Sequence, residues 1–177
     1  MSKGDVEATE DAILPGGPGS PLRAKSMTLA ERADALDATV WGTDFDWASL
    51  QKLAEFLQAF TVAPNKVIFR THAPSHFLCL IVEGAVQIEK PDSAGALKPI
   101  RTIGAGKAFG EIAILDAGRR TAHVTAEEDT VLLVLTRGDF ERLSETYPGL
   151  ALALTLRLAR ILAARLRQAS GMLVEHL

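Results

Sequence analysis

A mainly β domain, built as a sandwich or barrel and flanked by helices, is what the sequence predicts, and three observations carry it. Between Phe60 and Leu135 short apolar or alternating runs recur, bounded by Gly, Pro, Asn and Asp. On either side, residues 27–60 and the run from Leu150 space their apolar residues as helices do. With 177 residues, 47% of them apolar, the chain suffices for one domain with a real core plus extensions.

The elements follow in order. Residues 1–26 read as a disordered tail or linker, because Pro15-Gly16-Gly17-Pro18-Gly19-Ser20-Pro21 breaks helix and strand alike and few large apolar residues surround it. Inside it, Arg23-Ala24-Lys25-Ser26 has the short, common pattern of a basic-directed kinase site or a docking peptide and is read as solvated linker. Residues 27–46 form a helical extension in which Ser26 or Thr28 caps a helix through Leu36, with Thr28 and Glu31 spaced as a capping box. The main domain then runs over 47–177. Asp46 caps its first helix, whose Leu50, Leu53, Ala54 and Leu57 share one side. Trp41 and Trp47 are read as anchors of these helices on the following sheet, given the area such rings bury.

From Phe60 the pattern turns to strands over 66–70, 77–82, 85–89, 98–103, 121–126 and 131–135. Pro64-Asn65, Glu83-Gly84, Pro91 to Gly95 and Gly104-Ala105-Gly106 supply the turns. A short helix is expected over 139–146. A long one follows from Leu150 to about Ser170, with Gly171 as its stop. Its stripe of Leu154, Leu158, Ile161 and Leu162 is widened by Leu152, Leu156 and Leu166, so it should bury against the β domain and against something else. Arg157, Arg160, Arg165 and Arg167 read as the solvated rims of that helix, with contact to an acidic partner or a nucleotide phosphate as the alternative.

The chemistry concentrates in Phe109-Gly110-Glu111-Ile112-Ala113-Ile114-Leu115, followed by Arg119-Arg120-Thr121-Ala122-His123-Val124. A glycine leaves the backbone accessible, and the amides at a helix start attract anions through unsatisfied donors and the helix dipole. An arginine fork facing them makes the paired, charge-assisted hydrogen bonds that phosphate oxygens accept. Glu111 repels a phosphate, so its place beside one makes sense as an acceptor for a sugar hydroxyl. Phosphate and ribose recognition in one short stretch is a nucleotide signature.

At these residues the chain resembles the cyclic nucleotide-binding domains of the bacterial catabolite activator protein, the protein kinase A regulatory subunit and cyclic nucleotide-gated channels. Phe109-Gly110-Glu111-Ile112-Ala113 with Arg120-Thr121-Ala122 looks like their phosphate-binding cassette, and the likeness spans roughly residues 48–168. The resemblance implies a jelly-roll-like β-barrel (a double-stranded β-helix) with N-terminal helices and a long C-terminal helix. It implies that Gly110, Glu111 and the amides up to Ala113 cradle the ribose-phosphate, that Arg120 rather than Arg119 pairs with the phosphate, and that Thr121 and Ala122 add polar contacts. The ligand expected is cyclic AMP, with cyclic GMP as the alternative because the Thr121 hydroxyl suits a guanine held syn. The helix over 150–170 corresponds to the one that lids the purine and, in the bacterial regulators, forms a homodimer. The chain departs from the family pattern at Pro64-Asn65 and Ala73-Pro74-Ser75, where relatives favour glycine.

Other classes find less support. Net charge is −3, and the first sixty residues hold ten acids against five bases, so direct DNA contact is not expected. The single cysteine, Cys79, lies in an apolar run and is expected in the core. His72 and His76 flank Pro74 in a loop with no acid or thiol nearby, so no metal is expected. His123 is placed outward or at a pocket rim. Nothing pairs a nucleophile with a base, so no catalytic residue is assigned and an enzyme is not expected. No leader segment and no apolar run near the ~20 residues of a membrane span are seen, and the chain is expected in the cytoplasm, off the membrane. Only Met172 to Leu177 follow the long helix, where transcriptional relatives carry a helix-turn-helix domain. The expectation is a stand-alone cyclic nucleotide sensor that signals to an effector protein by helix rearrangement. Two alternatives are an interaction module with a vestigial pocket and a transcription-regulator-like protein without its own DNA-binding domain.

Overall fold

The computed structural model describes residues 15–174 except Pro18, Ser75 and Ala117, with side chains of the last helix up to Gln168. Part of the stretch read as tail is built into the fold. β1 (Arg23–Ala24) pairs with the first long strand, and Leu22 is 1% exposed. Residues 1–14 lie outside the described residues. Helix α1 (Leu29–Asp37) starts where the capping box predicts: the Thr28 hydroxyl accepts from Glu31 N (3.2 Å) and Thr28 N donates to Glu31 Oε2 (2.6 Å). Helix α2 (Trp47–Ala54) is capped by Asp46, whose Oδ1 accepts from Ser49 N at 2.8 Å. Leu50, Leu53, Ala54 and Leu57 are all buried, as their spacing predicts. Of the two tryptophans only Trp41 is an anchor. Trp47, in the first turn of α2, turns away from that apolar side and is 45% exposed, so its anchoring role is withdrawn.

The strands are β2 (Gln58–Val62), β3 (Val67–Phe69), β4 (Phe77–Glu83), β5 (Ala85–Pro91), β6 (Leu97–Gly104), β7 (Ala108–Phe109), β8 (His123–Ala126) and β9 (Thr130–Thr136). All pair antiparallel, in one sheet of order β1-β2-β9-β4-β7 and a second of order β3-β8-β5-β6. Their inner faces meet in a core containing Phe60, Ile68, Phe77, Cys79, Ile81, Val86, Phe109, Leu132 and Val134. Leu78, Leu80, Leu133 and Leu135, the alternate residues of β4 and β9, face a second core shared with the helices. These central strands therefore read as unbroken apolar runs because both of their faces are covered. β2 begins at Gln58, inside the stretch whose spacing looked helical, and β8 starts at His123 rather than Thr121.

Helix α3 (Ile112–Leu115) follows β7, and α4 (Arg137–Thr146) is capped by the Thr136 hydroxyl, which accepts from Asp139 N (3.1 Å). Helix α5 (Pro148–Val174) runs through Gly171, the expected stop. Ala151, Leu154 and Leu158 bury one side of α5, and Arg157 pairs with Asp44 at 3.0 Å, so that arginine is not a solvated rim. On the other side Leu152, Leu156, Ala159, Ala163 and Leu166 are all exposed, spaced alternately four and three residues apart. Asn65 (φ 61°) and His72 (φ 65°) take the left-handed conformation at the loops where the sequence lacks the family's glycines. Among the described residues, no helix is long and apolar enough to cross a membrane, and no three His, Cys, Asp or Glu side chains could hold a metal ion.

Candidate functional site

The loop after β7 turns sharply at Gly110. Its φ is +80°, and a Cβ there would lie 2.5 Å from Arg120 Nη1 and 3.0 Å from the Phe77 carbonyl oxygen, so only glycine admits this approach. The turn delivers Glu111 and then α3. The helix ladder begins with Ile114 N donating to Glu111 O (3.1 Å), so the Ile112 and Ala113 amides precede the ladder, and both residues line the cavity.

Arg120 arrives from the other side, just before β8. Its backbone is held by the β3–β4 loop: His72 N donates to Arg120 O (2.8 Å) and Arg120 N to Ala73 O (3.2 Å). The guanidinium lies over the Phe69 and Phe77 rings, 3.8 and 4.6 Å from their centroids, and donates to Phe77 O (2.8 Å) and Gly110 O (3.2 Å). It is 3% exposed, and burial pulls its pKa down to about 10, so it stays charged at neutral pH. Arg119, by contrast, is exposed at the rim and donates to His72 O at 2.8 Å.

These groups border a cavity of about 620 Å³. Phe109, Gly110, Glu111, Ile112, Ala113, Arg120, Thr121 and Ala122, the eight residues read from the motif, all line it. His72, His76 and His123 do not. His123 is buried in β8 opposite Glu89, neither outward nor at the rim, and burial holds its imidazole below the usual histidine range. Cys79 is fully buried beneath Arg120, with its thiol pushed up to about 12 by burial.

Sequence reasoning missed the far wall. Lys90 and Arg101, from β5 and β6, line the cavity, as do Leu162, Arg165 and Leu166 from α5. Among the described residues the lining thus holds five cationic side chains, Lys90, Arg101, Arg119, Arg120 and Arg165, against a single carboxylate, Glu111. Such a cavity favours an anion. Glu111 is 2% exposed, and its Oε1 accepts from Arg165 Nη1; Arg165 Nη2 donates to Ala108 O at 2.8 Å. Arg165 is therefore not a solvated rim either. Arg101 is exposed but partly desolvated at the cavity mouth, and that desolvation first, then the neighbouring Arg165, lower its pKa, with Glu111 opposing. A signal for Arg165 existed: it continues the inward stripe Leu154, Leu158, Ile161 at the same spacing. A guanidinium on an inward stripe calls for a buried acid.

The profile of the family described as "Cyclic nucleotide-binding domain" matches residues 59–147. The chain is 36% identical over 105 residues to a cyclic AMP receptor protein of Thermus thermophilus, covering 59% of this chain and 47% of that one. It is 34% identical over 161 residues to glutaminase 1 of Bradyrhizobium diazoefficiens, covering 91% of this chain and 24% of that protein. The chain thus spans less than half the length of either relative. Among solved structures, a cyclic nucleotide-binding domain from Methylobacillus flagellatus superposes with a TM-score of 0.73 at 23% identity, covering 84% of both chains, which bears on the fold alone.

Proposed function

Because this chain belongs to the cyclic nucleotide-binding domain family, we propose that its cavity binds a purine 3′,5′-cyclic nucleotide and that α5 passes the binding event to a protein partner. The cyclic phosphate sits against Arg120 and the amides opening α3, and the ribose 2′-hydroxyl donates to Glu111. The observation that carries this reading is the convergence of Gly110, Glu111 and Arg120 on one strongly cationic cavity. A vestigial pocket fits less well, since a retired site has no use for a buried carboxylate or a glycine at φ +80°.

Cyclic AMP is the ligand proposed first. Thr121, exposed at the cavity wall, is the residue that would admit cyclic GMP, and one such hydroxyl confers modest discrimination. The role is regulatory rather than catalytic. Capture of the phosphate draws the cassette toward Arg120, and α5 moves only as far as the ligand prefers one helix position over the other. The exposed seam from Leu152 to Leu166 has the alternating spacing of a two-helix interface, which supports a homodimer through α5.

Thermal denaturation of the full chain with cyclic AMP, cyclic GMP and 5′-AMP tests the ligand. At a hundredfold excess over Kd, binding adds about 2.7 kcal/mol, a rise of roughly 5–10 °C for a chain of this size. Stabilisation by a cyclic nucleotide but not by 5′-AMP is expected; no shift with either cyclic nucleotide overturns the reading.

A further inference from the structure

We infer that the cavity takes a purine 3′,5′-cyclic dinucleotide: one phosphodiester at Arg120, and a second at Lys90 and Arg101 on the β5–β6 hairpin. This rests on the cyclic nucleotide reading above and names the ligand class of the same site. Arg120 and the amides before α3 answer the one negative charge of a cyclic mononucleotide, and Glu111 is already matched by Arg165. Lys90 and Arg101 are left over. Both are exposed and both line the cavity, and among the described residues neither side chain makes a hydrogen bond or an ion pair. Unmatched cations at a cavity mouth call for more negative charge than one phosphate carries.

Strand geometry puts these cations together. Alternate residues of a strand share a face, so Lys90 continues the inner face of β5 after Val86 and Ile88, both buried in the core between the sheets. Across the hairpin Arg101 stands opposite Ile88, and Lys90 stands opposite Lys98. Like charges directly opposed on paired strands destabilise them, and Arg101 also feels the charge of Arg165. An anion seated there relieves both repulsions. Glu89 pairs with His123, three residues after Arg120, so Lys90 and Arg120 lie within roughly 10 Å of each other at the rise of a strand. A ribose linked through both its 3′ and 5′ oxygens bridges a gap of that order. A second phosphate on the 2′-oxygen would consume the hydroxyl assigned to Glu111, whereas two 3′,5′ linkages in one ring leave both 2′-hydroxyls open. The second purine has an apolar seat in Ile100, which is 56% exposed and lines the cavity next to Arg101.

Isothermal titration of the full chain compares cyclic AMP with cyclic di-AMP, and cyclic GMP with cyclic di-GMP. In at least one purine pair the dinucleotide is expected to bind about tenfold or more tightly, as charged hydrogen bonds to a second phosphate predict. In Lys90→Gln/Arg101→Gln that preference falls to about twofold or less. In Lys25→Gln/Lys66→Gln, which removes two exposed charges away from the cavity, it persists. Every substituted side chain is exposed, and thermal melts check that each variant is folded. Equal or weaker binding of both dinucleotides in the wild type overturns the inference and leaves the mononucleotide reading standing. A preference that survives in Lys90→Gln/Arg101→Gln overturns the assigned subsite. Inorganic phosphate that tightens cyclic AMP binding at constant ionic strength, with neither dinucleotide preferred, shows that the cations serve a free anion and overturns it equally. Wild-type protein that binds none of the four nucleotides instead refutes the cyclic nucleotide reading itself.

Discussion

Replacing Gly110 with alanine is the sharpest single perturbation of the cassette. At φ +80° an L-residue costs about 1–2 kcal/mol in the backbone alone. The new methyl would stand 2.5 Å from Arg120 Nη1 and 3.0 Å from Phe77 O, so the guanidinium has to move. It is clamped between two aromatic rings and two carbonyls, and displacing it breaks at least one charged hydrogen bond of about 1.5–3 kcal/mol. Gly95→Ala separates the two effects: φ is +82° there, but a methyl meets nothing within 4 Å. Both variants should lose stability through the backbone, a fall in Tm of roughly 2–8 °C for 1–2 kcal/mol. Only Gly110→Ala should also lose affinity for cyclic AMP, by about tenfold or more. Thermal melts and titration calorimetry read both quantities. Equal affinity in Gly110→Ala and wild type, or an equal loss in Gly95→Ala, refutes the reasoning.

Three further outcomes follow from the packing. Leu22→Ala removes a side chain 1% exposed in the core between the sheets and should cost about 2–5 kcal/mol in a denaturant titration; a loss below about 0.5 kcal/mol would mean the segment does not dock. Burial lowers the His123 pKa, so below the ordinary value near 6.5 the unfolded chain binds the extra proton first, and stability should fall as pH drops through that window. His123→Gln should flatten this acid slope, and an unchanged slope would exclude His123 as its source. Cys79, buried with its thiol pushed up to about 12, should resist an aromatic disulfide reagent at pH 8 in the folded protein and react once the chain is unfolded; fast labelling of the native state contradicts its core position.

What could be read from the sequence was what short-range spacing encodes. The Thr28–Glu31 cap, the Asp46 cap and the apolar runs of β4 and β9 each declare themselves within a few residues. So does the cassette, because Gly110, Glu111 and Arg120 are close in the chain and their residue types are chemically distinctive. Arg165 was harder: 54 residues separate it from Glu111, and only the phase of α5 against the β sheets sets it apart from Arg160. The same holds for Lys90 and Arg101, which reach the cavity only because the β5–β6 hairpin lies along its wall. Leu22 stands next to a run of helix and strand breakers, and only the pairing of Arg23 and Ala24 with β2 brings it into the core. Trp47 shows the converse, a large ring whose size suggested burial although its place on α2 left it half out.

The central claim is that Arg120 receives the phosphate of a cyclic nucleotide, and calorimetric titration of cyclic AMP into wild type, Arg120→Lys and Arg120→Ala tests it most directly. A charge-assisted hydrogen bond of about 1.5–3 kcal/mol corresponds to a loss of roughly ten- to a hundredfold in the alanine variant. Lysine, which keeps the charge but not the fork, should fall between alanine and wild type. Three equal affinities in folded proteins would contradict the account.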